Sequence, residues 1–236
     1  MSRIPQSPAS LAIIPARGGS KRIPRKNLRD FRGKPILAWS VEAALESGAF
    51  DEVMVSTDDP QIAEMARALG AEVPFMRSVE ASNDHATTSG VLLEVLAAYS
   101  DQGREFSVAC CLYPTAPFVT PECLAAGKSA LLMGSFDVVM PVAPFTYPIW
   151  RSLRRDADGS VGLNFPEYRN SRSQDLAAAF HDAGQWYWFR VDAFRSTGNL
   201  LGSRVGSIVL PAAEVQDIDT EEDWAIAEIK HERVFG

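Results

Sequence analysis

An α/β chain built around a buried, mostly parallel sheet is what this sequence predicts. Short apolar runs alternate with amphipathic segments along 236 residues, the rhythm of repeated βαβ units. The first run, 11–16, is apolar nearly throughout, as a strand buried on both faces should be. Gly48 and Gly70 stand where helices should stop, and Asp59-Pro60 where one should begin.

The elements follow in order. After the strand at 11–16, residues 36–47 carry Ile36, Leu37, Val41, Ala44 and Leu45 at helical spacing. A strand at 53–56 leads to a helix that Asp59 caps, Pro60 opens and Leu69 ends. Strand 71–76 and helix 87–99 come next, the helix showing Val91, Val95 and Tyr99 on one face. Strand 107–113 holds Cys110 and Cys111, helix 121–133 follows, and then strand 137–142. From 143 to 180 the alternation breaks into prolines, arginines and aromatics, among them Phe145, Tyr147, Trp150, Phe165 and Tyr168. An irregular excursion of that length inside a domain is usually functional or interfacial. Strands at 185–190, 207–210 and 215–218 and a helix at 220–232 close the chain. With no repeat, linker or low-complexity tract, residues 1–236 read as a single domain with an arm at about 143–180.

Composition narrows the function. At 46% hydrophobic and 22% charged, the chain is neither disordered, coiled coil nor collagen. No apolar run reaches the ~18 residues of a membrane span, and the start lacks a signal peptide's apolar core. Three cysteines, two adjacent in an apolar run, read as reduced core residues of a cytoplasmic protein. The scattered histidines at 85, 181 and 231 offer no zinc spacing. Net charge is −7, yet between Arg17 and Lys34 eight basic residues meet one acid, Asp30. Removing that segment from the 23 basic and 30 acidic residues leaves 15 against 29, a net of −14. One dense basic segment on an acidic protein suits a compact anionic ligand rather than nucleic acid. A solvated basic loop would have the same composition.

The first strand runs into Pro15-Ala16-Arg17-Gly18-Gly19-Ser20-Lys21-Arg22-Ile23-Pro24-Arg25-Lys26-Asn27. Such a loop leaves the carboxyl end of a buried strand, where open α/β sheets bind ligands. Gly18 and Gly19 can present backbone N–H groups to phosphate oxygens, and Arg17, Lys21, Arg22 and Lys26 can neutralise a triphosphate. Neither GxxxxGK[ST] nor GxGxxG is present.

The stretch IPARGGSKRIPRKN resembles the nucleotide-binding loop of the cytidylyltransferases that activate sialic-acid-like sugars. Further matches are VSTDD at 55–59, Arg77 with Asp84-His85-Ala86-Thr87-Thr88, LYPTAPF at 112–118, RSQDL at 172–176 and DIDTEEDW at 217–224. The resemblance runs from Leu11 to about Arg233, and HDAGQWYW at 181–188 is most similar to the pseudaminic acid branch. It implies a Rossmann-like nucleotide-diphosphosugar transferase fold with helices on both faces of the sheet. It further implies transfer of CMP from CTP to a nine-carbon acidic sugar, a nonulosonic acid, with release of pyrophosphate.

By the same resemblance Arg17, Ser20 and Lys21 contact the triphosphate, with Ala16, Gly18 and Gly19 beside them. Lys26 matches the lysine of the family motif and Asn27 a base or ribose contact, although asparagine there is also an ordinary turn residue. Arg77, Ala86 and Thr88 match the cytosine pocket; Thr88 also stands where a helix is capped. Asp84 reads as a cap, as does Asp59 beside Asp58. Asp217 and Asp219, two apart at the end of an expected strand, put both carboxylates on one side, roughly 6.6 Å apart. That spacing suits Mg²⁺, and the two match the family's metal pair; Glu221, Glu222 and Asp223 go with the helix start. Arg17, Lys21, Asp217 and Asp219 are the expected catalytic set. The sugar side is expected from Tyr113, Thr115, Arg172, Gln174, His181, Asp182 and Gln185. His181 beside Asp182 also fits a purely structural pair. Tyr113-Pro114-Thr115 departs from the Gln-Pro-Thr of the sialic acid enzymes and favours a sugar with other substituents. The same reaction on sialic or legionaminic acid or a 3-deoxy octulosonate is the enzymatic alternative, and a CTP-sensing regulator the non-enzymatic one. The arm's aromatics and arginines predict a homodimer; the resemblance has a comparable segment reaching across to close the sugar site.

Overall fold

The computed structural model describes residues 9–83, 85–202 and 204–236. The cap expected at Asp84 lies outside them. Strand β1 (Ser10–Pro15) is followed by a loop, a tight hairpin of β2 (Asp30–Phe31) and β3 (Lys34–Pro35), and helix α1 (Ile36–Glu46). Next come β4 (Glu52–Ser56), α2 (Pro60–Ala68), α3 (Thr88–Asp101), β5 (Val108–Leu112), α4 (Pro121–Met133) and β6 (Val138–Pro144). The arm carries β7 (Leu153–Arg155) and β8 (Val161–Leu163). The chain re-enters the sheet through β9 (Phe180–Asp182) and β10 (Trp186–Arg190), then adds α5 (Val191–Thr197), β11 (Val205–Val209) and α6 (Glu221–Phe235).

The main sheet has the order β11-β6-β10-β5-β1-β4, with β9 also on β6. β4, β1 and β5 are mutually parallel, as are β6 and β11, while β10 runs antiparallel between β5 and β6. The mostly parallel sheet is therefore present, with β10 near its middle and the short β9 reversed. Alternation along β1 sends Ala12 and Ile14 to one face and Leu11 and Ile13 to the other. The first face packs on α1, α2 and α4, the second on α3 and α5. Both layers are covered, which is why the strands are apolar throughout. Cys110 and Cys111 are buried on opposite faces for the same reason. A third cluster, of Ile23, Phe31, Ile36, Phe118, Ile218 and Trp224, ties the loop after β1 to α6.

Several elements differ from expectation. Residues 71–76 give only a bridge, Met54 to Glu72: Pro74 has no N–H to continue the ladder. No strand forms at 215–218, because side chains take that segment's carbonyls in place of a neighbouring strand. Gln185 donates to Glu214 (2.6 Å), Lys230 to Val215 (2.9 Å) and Lys26 to Ile218. The β2–β3 hairpin, unforeseen, turns on Arg32 and Gly33, both at positive φ (56° and 93°), as a two-residue hairpin loop of this kind requires. Helix α5, also unforeseen, stops at Gly198 in the left-handed conformation. The arm is not irregular throughout: β7 pairs with β8, and Trp150 packs on Phe165 and Tyr168 and donates to the carbonyl of Ala177.

Candidate active site

Parallel strands β1, β4 and β5 end at one edge, so the loops that follow them converge. Those loops supply residues 17–27, Asp58 and Asp59, and residues 113–115. Three adjoining cavities open there. One of about 400 Å³ is lined by Arg17, Ser20, Lys21, Arg22, Lys26, Asn27, Thr115 and Asp219. A second, about 240 Å³, is lined by Arg17, Arg77, Ala86, Thr88 and Tyr113. The third and largest, about 640 Å³, has Tyr113, His181, Asp182, Tyr187, Asp217 and Lys230 in its wall. Arg17 is shared by the first two and Tyr113 by the last two.

The basic loop is shaped by close approach. A Cβ on Gly18 would lie 2.8 Å from the Cβ of Asp59, so only glycine fits against the capped start of α2. Gly18 donates its N–H to Asp58 (2.9 Å), and Ser20 donates back to Gly18 (3.0 Å). Space around Gly19 is open. Ala16, fully buried, continues β1 by donating to Ser56. Asn27 is buried and donates its side-chain amide to the Arg17 carbonyl (2.9 Å), so it closes the loop as a turn residue while still lining the cavity. Arg25 sits at φ 54°, a strained conformation for any residue but glycine, and its guanidinium reaches Gln61.

Lys26 is the electrostatic pivot. Its ammonium donates to the Ile218 carbonyl and stands 3.7 Å from Asp219; Asp219 also pairs with Arg22 at 2.8 Å. Burial lowers the Lys26 pKa from its ordinary value, and Asp219 and Asp217 work against that shift. Burial, and then Asp219, push the Asp217 carboxyl up. The two aspartates do not share one face of a strand, as the sequence spacing suggested. They flank Ile218 in an irregular segment, Asp217 opening on the large cavity and Asp219 on the basic one.

Arg77 is 8% exposed and donates from Nε to the Ser56 hydroxyl (3.0 Å) and from Nη2 to the Ser56 carbonyl. Burial lowers its pKa. A fixed guanidinium under a small cavity is a suitable rigid donor. Thr87, not Thr88, caps α3, accepting from Gly90 (3.1 Å). Thr88 is thereby left to line the second cavity beside Tyr113, whose ring packs against that of Tyr187 with centroids 5.6 Å apart. Tyr187 donates to Asp182 (2.6 Å) and Gly184 donates to the other oxygen of the same carboxylate (2.7 Å). The two tyrosine rings thus link the second cavity to the third, and burial raises the pKa of both tyrosines.

A break in pairing aims Asp182 into the large cavity. β9 sets Asp182 opposite Val142, and unbroken pairing would bring Gln185 opposite Val139; Trp188 is there instead. The extra residues, with Gly184 at φ 63°, form the bend. His181 packs edge-on against Phe145, with Nδ1 2.8 Å from the Asp182 carbonyl. Gln185 is not in the cavity wall: it is 2% exposed, donates to Glu214, and its Oε1 is buried without a partner. Arg172 and Gln174 are exposed on the arm and line none of the three cavities. Tyr187 and Lys230 are among the polar residues of the large cavity's wall that escaped the sequence reading. Tyr187 is the one hydroxyl in a Trp-Tyr-Trp run, and Lys230 adjoins the buried stripe Trp224, Ala227, His231 of α6. A polar group on an apolar stripe is the available signal for each.

The cytidylyltransferase family model matches residues 11–161. A pseudaminic acid cytidylyltransferase of Campylobacter jejuni is 38% identical over 96% of this chain and 99% of its own length. A CMP-N,N'-diacetyllegionaminic acid synthase of Legionella pneumophila is 32% identical over 92% of this chain and 94% of its own. Among solved structures, CMP:2-keto-3-deoxy-manno-octonic acid synthetase complexed with CTP superposes with a TM-score of 0.70 at 20% identity. That alignment covers 95% of this chain and 99% of that one, and it shares the fold.

Proposed function

The chain belongs to the cytidylyltransferase family and is a nucleotidyltransferase; from that premise we propose that it transfers CMP from CTP to pseudaminic acid. The anomeric hydroxyl oxygen of the sugar attacks the α-phosphorus, the α–β bridging P–O bond breaks, and pyrophosphate leaves. One observation carries this reading: a small pocket with a fixed arginine adjoins the basic cavity through Arg17 and a large sugar-sized cavity through Tyr113. A triphosphate lying over Arg17, Ser20, Lys21 and Lys26 would have its base over Arg77, Ala86 and Thr88. Its α-phosphate would then stand at the opening of the third cavity. Positioning and charge neutralisation are the main demands of this chemistry, and arginine and lysine side chains meet them.

Asp217 and Asp219 fit Mg²⁺. Asp219 offers a hard oxygen donor in the wall of the basic cavity, and Asp217 stands on the other side of Ile218, too few donors for a full protein cage. Mg²⁺ is commonly held this way, completed by phosphate oxygens and water. Bound there, it supplies charge neutralisation on the α-phosphate and the leaving pyrophosphate. The assembly we propose is a homodimer through the arm, which accounts for Arg172 and Gln174 lying away from their own chain's cavities. The compartment we propose is the cytoplasm, supported by three free thiols, two of them wholly buried.

Pyrophosphate release with CTP and a panel of acidic sugars tests the function. Pseudaminic acid should give the highest kcat/KM. A higher value with legionaminic acid, sialic acid or the eight-carbon acid would reassign the substrate. Tight CTP binding with no release for any sugar would make the protein a CTP sensor.

A further inference from the structure

We propose that Lys230 is the cation that receives the carboxylate of the acidic sugar. This rests on the reading above, in which the large cavity takes that sugar. Among the described residues in the cavity's wall, Lys230 is the only lysine or arginine, and it shares the wall with the carboxylates Asp182 and Asp217. Both hydrogen bonds from its ammonium go to neutral acceptors, the Val215 carbonyl at 2.9 Å and the Gln216 amide oxygen at 3.0 Å. An ammonium has three donors, so one direction remains for a ligand. Lys26 differs: it stands 3.7 Å from the Asp219 carboxylate, whereas Lys230 donates to two uncharged oxygens. One lysine is matched to the aspartate pair, and the other brings its charge to the cavity.

The chemistry of the substrate sets where such a cation must be. In a 2-keto-3-deoxy acid the carboxylate carbon is bonded to the anomeric carbon, so carboxylate and attacking hydroxyl are neighbours. Holding the first orients the second. An unneutralised carboxylate beside Asp217 and an approaching triphosphate would also be repelled from the cavity. Lys230, on the rigid helix α6 and braced by two acceptors from the segment preceding Asp217, can meet both needs.

The test compares the free acid of the sugar with its methyl ester in wild type and in Lys230→Gln. Glutamine retains a donor for the Val215 carbonyl and removes the charge. Wild type should favour the acid by about tenfold or more in KM, the scale of one charge-assisted hydrogen bond. Lys230→Gln should raise KM for the acid by about the same factor and bind acid and ester alike. KM for CTP serves as the control and should stay within about twofold. Lys230→Arg should keep the acid preference, and it carries the test if the glutamine variant does not fold. An acid preference that survives in Lys230→Gln, or disappears in a folded Lys230→Arg, would overturn the assignment. Wild type that turns over no acidic sugar would instead overturn the functional reading.

Discussion

Lys21 stands with Arg17 and Ser20 in the wall of the basic cavity, where the proposed reaction would gather negative charge in its transition state. Lys21→Ala should cut turnover at least about tenfold, since losing one such contact costs about 1.4 kcal/mol or more at the barrier. Wild-type rates from a folded variant would mean the loop is only solvated. Asp219 tests the metal. Asp219→Ala should lower pyrophosphate release on the order of a hundredfold or more, and chelation of Mg²⁺ should do the same to wild type. Turnover that ignores chelation would remove the metal from the reaction. The loop at 17–27 was legible because glycine and cation chemistry are local: Gly18 is needed for one close approach and the cations follow in sequence. Lys230 and Tyr187 were not, because each reaches the site only through the packing of an element far away in the chain. Asn27 was half legible, since it is both a turn residue and a cavity wall.

At the scale of elements, Gly127 sets two effects against each other. It lies within α4, where alanine would gain about 1 kcal/mol of helix propensity. A Cβ there would come within 2.6 Å of the Trp186 ring and 2.7 Å of Trp188, both fully buried. Overpacking of this kind costs about 1–3 kcal/mol, and neither ring has room to retreat. Gly127→Ala should therefore lower Tm despite the better helix former, and a raised Tm would show that β10 can slide under α4. The same contrast explains which elements could be read. Helices with a cap and a stop, such as α2 between Asp59 and Leu69, are written locally, and so are buried parallel strands. Residues 71–76 and 215–218 have strand composition but no partner strand along their length, and pairing is a property of the sheet. The segment 214–218 is held instead by Gln185, Lys26 and Lys230, three side chains that lie outside it in the sequence.

For the whole molecule, the proposed assembly runs through the arm. Tyr147 is 83% exposed, Val161 62% and Leu153 58%, while Arg151, Arg154 and Arg155 stand among them. Trp150, Phe165 and Tyr168 form a half-buried cluster. That cluster and the β7–β8 hairpin give the arm a structure of its own. An apolar patch rimmed by arginine is a typical interface composition, and a second copy of the chain is the proposed occupant. Sedimentation at micromolar protein should give twice the mass of one chain. Val161→Glu places a charge among those exposed apolar residues, and hot-spot changes commonly cost about 2 kcal/mol or more, enough to shift the equilibrium about thirtyfold toward single chains. Since Arg172 and Gln174 lie outside their own chain's cavities, the dissociated variant should also lose sugar-dependent turnover while still binding CTP. A species of one chain's mass with full turnover would end the dimer and return the arm to its own subunit.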